Sequence, residues 1–93
     1  MGSDINGAAR EVSGQLVAEA VGVRIVSSRC PQDSASAAKL AGYLDRKIEP
    51  GQFICFASKG GAVIRCTDSY PTREEAVAAA QSTFPEVWGV LNG

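Results

Sequence analysis

Few side chains in this 93-residue chain could do chemistry: three cysteines, ten aspartates and glutamates, nine lysines and arginines, and no histidine. Without histidine a Ser-His-Asp or Cys-His site is impossible, and the usual zinc, haem and iron ligand sets lose their commonest member. Cys30, Cys55 and Cys66 stand in no CxxC or similar spacing, so they read as small buried hydrophobes with free thiols. Glu74 and Glu75 suit the first turn of a helix, where negative charge favours the dipole, and Asp45 and Glu49 read as solvated helix-end charges. Lys59-Gly60-Gly61 lacks the spacing of a phosphate loop and reads as a hairpin turn. Phe53-Ile54-Cys55-Phe56 has the aromatics of an RNA-recognition sheet without its basic and glycine signature, and a net charge of −1 supplies no field for nucleic acid or an anionic membrane. The expectation is a non-enzymatic protein with no catalytic or metal centre, no cofactor and no nucleic-acid partner.

Ninety-three residues suffice for one hydrophobic core, so one domain spans 1–93. Ile5, Ala9, Val12, Leu16, Val17 and Ala20 recur at helical spacing and predict an amphipathic N-terminal helix over residues 1–21. Val23-Arg24-Ile25-Val26 is β-branched and predicts the first strand. Asp33 or Ser34 caps a helix running to Lys47, with Ala37, Leu40, Ala41, Leu44 and Ile48 as its buried stripe. Two strand-like runs flank Gly60-Gly61, and Thr72-Arg73-Glu74-Glu75 is a capping box opening a helix whose apolar face is Ala76, Val77, Ala80 and Phe84. Pro85 stops that helix, and residues 87–91 predict a last short strand. Residues 22–91 therefore spell βαββαβ. This predicts an α+β, ferredoxin-like antiparallel sheet with two helices on one face.

A two-residue Gly60-Gly61 turn sets Phe56 opposite Arg65 and Cys55 opposite Cys66. One sheet face then carries Phe53, Cys55, Ala57, Ile64 and Cys66 and lies under helices. The other carries Ile54, Phe56, Ser58, Val63, Arg65 and Thr67, joined by Arg24, Val26 and Ser28. Its mixture of apolar and cationic groups suits a partner or ligand, unless the N-terminal helix covers it. The candidate site is Arg24, Val26, Ile54, Phe56, Val63 and Arg65. Trp88 and Tyr70 read as edge packing or as ligand stacking.

Val23-Arg24-Ile25-Val26 with Ala37-Ala38-Lys39-Leu40, and Ala62-Val63-Ile64-Arg65 with Pro71-Thr72-Arg73-Glu74-Glu75-Ala76, resemble the SPOR domain over residues 22–91. That family binds peptidoglycan glycan strands stripped of stem peptides at bacterial division sites. The resemblance implies a glycan on the open sheet face, against Arg24, Val26, Phe56 and Arg65, and a periplasmic setting. The sequence departs from the family in lacking the usual first-strand glutamine and the Gly-Pro-Phe stretch that ends the third strand. No membrane-spanning run or signal sequence is present in the residues given, which by themselves read as cytoplasmic. The rival expectation is a structural or interaction subunit, with the same face and the N-terminal helix buried against a partner protein or a second copy.

Overall fold

The computed structural model describes residues 14–92. Four strands, β1 (Gly14–Ala20), β2 (Val23–Arg29), β3 (Phe53–Lys59) and β4 (Ala62–Cys66), form one antiparallel sheet in the order β1-β2-β3-β4. Three helices accompany it: α1 (Ser34–Leu44), α2 (Arg73–Thr83) and α3 (Pro85–Asn92). The α+β class and the antiparallel sheet match the expectation, but the arrangement within the sheet differs. In a ferredoxin-like sheet the strands before and after the first helix are separated by a third; here β2 and β3 pair directly, from Val23 opposite Lys59 to Arg29 opposite Phe53.

Two element types also differ. Residues 14–20 form a strand rather than the end of an N-terminal helix, because they pair with β2 through a two-residue turn. Tertiary pairing overrides a weak helical periodicity that already contained Gly14. The rest of the expected helix, residues 1–13, lies outside the described residues. Residues 87–91 belong to α3 rather than to a strand. Pro85 ends one helix and occupies the first position of the next, where its missing N–H costs nothing, and Val87, Trp88 and Leu91 meet the core at helical spacing.

The β1–β2 turn has positive φ at both central residues, 53° at Val21 and 79° at Gly22. That is the type I′ pattern, which suits asparagine far better than a β-branched residue. Val21 is 80% exposed, so nothing in the core requires its side chain. Val21→Asn is expected to raise stability by about 1 kcal/mol, read as a higher urea midpoint at unchanged slope.

The caps follow the sequence. Asp33 accepts from the Ser36 backbone N–H at 2.8 Å, and hydrogen bonding from the Ser36 side chain and then from this N–H holds its carboxyl below the usual value. Thr72 Oγ1 accepts from the Glu75 N–H at 3.2 Å and donates to Glu75 Oε1 at 3.1 Å, so Glu75 reaches back to the hydroxyl. The first helix stops at Leu44, three residues short of Lys47, where Asp45 turns left-handed with φ 55°.

The helices lie on both faces of the sheet. Small residues on one face, Ala57, Cys55 and Ser27, let Ala76 and Ala80 of α2 approach closely, and Phe84, Val87, Val23 and Ile25 complete that core. A second cluster on the opposite face joins Ala37 and Ile48, flanked by Leu40, Ala41 and Leu44, to Cys30, Ile54 and Cys66. Strand alternation requires this division, since Ile54 and Cys55 point to opposite sides. Two helices on one face, leaving the other bare, is thus corrected to α2 and α3 on one face and α1 across one end of the other.

Candidate functional site

The face shared with α1 is built in rows across the sheet. Reading the register across the strands, one row is Glu19, Arg24, Ser58 and Val63, and the next is Leu16, Val26, Phe56 and Cys66. A third holds Gly14, Ser28 and Ile54. Helix α1 covers the Ile54 and Cys66 end, and Phe56 packs against its cluster. Among the described residues nothing covers the first row and the β1–β2 half of the second, with Leu16 46% and Val63 40% exposed. Arg24 Nε lies 3.5 Å from Glu19 Oε2, an ion pair in solvent at the margin of the apolar strip.

Arg24, Val26, Ile54, Phe56 and Val63 therefore share one face, as expected from the sequence, though Ile54 is buried under α1. Arg65 does not join them. The Gly60-Gly61 turn pairs Lys59 with Ala62 and Ser58 with Val63 as predicted, but Ile64 is then an extra residue. This bulge shifts the register, so Ala57 faces Arg65 and Phe56 faces Cys66. Arg65 thereby moves to the α2–α3 side, where it donates to the Thr83 carbonyl at 3.1 Å and pairs with Glu86 at 3.2 Å. Cys66 moves the other way, and the predicted Cys55–Cys66 opposition is lost. No local sequence signal marks a bulge at Ile64; Leu16 was missed because its strand read as helix.

All three thiols are free and buried. Burial pushes Cys55 up to about 12, with Cys66 adding to the effect, and pushes Cys66 up to about 11 although Arg46 opposes the rise. Cys30 is raised by burial as well. At neutral pH these sulfurs are protonated and poor nucleophiles. Among the described residues no group of three or more Cys, Asp or Glu could hold a metal ion, and no helix is long and apolar enough to cross a membrane.

Tyr70 and Trp88 both pack against the α2–α3 core, and the Trp88 indole N–H is buried there with no partner among the described residues. Phe53 is also on that side, with the Arg73 and Arg29 guanidinium groups 5.0 and 5.6 Å from its ring centre. Arg73 donates to the Ser27 carbonyl at 2.9 Å and its hydroxyl at 3.3 Å, satisfying a buried serine in the central sheet. These contacts hold α2 to the sheet.

The fold and this face define the class: an α+β protein with a four-stranded meander, helices on both sides, and one partly uncovered mixed apolar and charged surface. No protein-family model matches the chain, and searches of curated proteins and of solved structures find no match. The SPOR resemblance thus rests on the sequence motifs alone, and the observed strand order departs from the βαββαβ arrangement it implies.

Proposed function

We propose that this chain is a non-enzymatic binding module that buries its open sheet face against protein, in the simplest case a second copy of itself. The observation that carries this reading is the apolar strip of Leu16, Val26, Phe56 and Val63, crossing all four strands beside an Arg24–Glu19 pair. An apolar centre with a polar margin is how protein interfaces are built. The strip is also self-complementary: Arg24 and Glu19 are neighbours of opposite sign, so two-fold packing of two such faces sets each Arg24 against the other copy's Glu19.

Sedimentation equilibrium tests the reading. A concentration-dependent dimer is expected, weakened about tenfold or more by Arg24→Glu and largely restored by combining it with Glu19→Arg. A parent chain that stays monomeric at high micromolar concentration refutes self-association. A second reading, glycan binding, is favoured by Ser58 and Arg24 lying beside Val26 and Phe56, which offers hydrogen-bonding groups next to an apolar surface. Its signature is retention of the monomer on denuded peptidoglycan, lost in Arg24→Ala.

A further inference from the structure

Beyond the open face, the sheet of the described residues ends at β4, whose outer backbone edge has no strand partner among them. Beside that edge runs a groove of about 350 Å³, with Tyr43, Leu44 and Arg46 at the end of α1 as one wall and residues 63–66 of β4 as the other. Tyr43 is 80% and Ile64 45% exposed, so both walls present large apolar surfaces to solvent. The groove's lining includes two arginines, Arg46 and Arg65, and no carboxylate. Arg65 is engaged by Glu86 and by the Thr83 carbonyl, whereas Arg46 has no ion-pair partner among the described residues.

A strand edge beside a helix wall is the geometry in which an extended peptide adds to a sheet, its backbone supplying affinity and alternate side chains supplying specificity. We propose that β4 receives an acidic, extended peptide segment of a partner protein as a fifth strand. Alternate side chains of such a segment point to opposite faces. Apolar ones would lie against Tyr43, Leu44 and Val63, while carboxylates meet Arg65 on the other face and Arg46 at the groove's end. The bulge at Ile64 shortens the regular edge. It thereby disfavours indiscriminate edge-to-edge pairing of copies and leaves selection to the groove's charge and shape. This site stands apart from the open face, with Val63 at their common border.

The test is titration of the full chain, followed by amide NMR, with three capped hexapeptides: alternating Glu-Val, alternating Lys-Val, and the Glu-Val peptide N-methylated at every second residue. The Glu-Val peptide is expected to shift the amides of Val63, Ile64 and Arg65, and to bind about tenfold more tightly than its Lys-Val counterpart. N-methylation should abolish binding, and Arg46→Glu should shrink the preference for the Glu-Val peptide. Repeating the titration on Arg24→Glu, which alters the open face and leaves the groove intact, should give the same affinities. The proposal is overturned by equal binding of the Glu and Lys peptides, by indifference to N-methylation, by shifts confined to other residues, or by no binding at millimolar peptide. Shifts at Ile64 and Arg65 that grow with protein concentration alone in Arg24→Glu, whose open face no longer self-associates, would instead identify a second copy as the occupant, and would also overturn it.

Discussion

Phe84→Ala is expected to cost about 3–5 kcal/mol, a large share of the roughly 5–15 kcal/mol that holds a domain folded. Phe84 is fully buried and lies between the end of α2 and the start of α3, so one ring fills the junction of both helices with the sheet. Its cluster mixes short side chains, Ala57, Ala76, Ala80 and Cys55, with the larger Val23, Ile25 and Val87. How far the larger ones move into the space sets where in that range the cost falls. Phe84→Leu keeps most of the volume and should cost markedly less. Urea titration of the two variants reads the difference directly, and similar midpoints would mean that the site collapses after truncation.

The same residues show what was legible in the sequence. The stripe Ala76, Val77, Ala80 and Phe84, the caps at Asp33 and Thr72, and the Gly60-Gly61 turn are local signals, each fixed by spacing within one segment. All of them hold in the structure. What failed depended on distant partners. Residues 14–20 have apolar positions compatible with helix or strand, and only pairing with β2 decides between them. Val21-Gly22 gives little warning of a turn, because a valine at positive φ is a strained choice that the hairpin imposes.

The candidate site divides along the same line. Arg24, Val26, Ile54, Phe56 and Val63 were placed together correctly because alternation within a strand is a local rule. Arg65 was misplaced by one inserted residue, since a single bulge reverses the face of everything beyond it. The consequence is functional. Losing Arg65 leaves Arg24 as the face's arginine, next to Glu19, and turns a cationic surface into a charge-paired one. Such a surface is better suited to a two-fold-related copy of itself than to a polyanion.

Raising the pH from 8 to 12 should destabilise the protein through Cys55 and Cys66 more steeply than exposed titrations alone would. In the unfolded chain a thiol ionises near 9, whereas burial in the folded state holds these two to about 12 and about 11. Below pH 9 both states keep the proton, so stability is fully retained. Between 9 and the folded values only the unfolded chain releases it, and each thiol then removes up to about 1.4 kcal/mol per pH unit. The loss levels off once the folded thiols also ionise. The informative quantity is the difference between the parent and a Cys55→Ala, Cys66→Ala variant, which cancels every other contribution to the pH dependence. Chemical denaturation at half-unit pH steps should give curves separated by a constant packing offset on the acid side of 9, with the parent falling faster above it. Parallel curves would show that these sulfurs reach water, and that the sheet between α1 and α2 is less tightly closed than the packing of Cys55 and Cys66 implies.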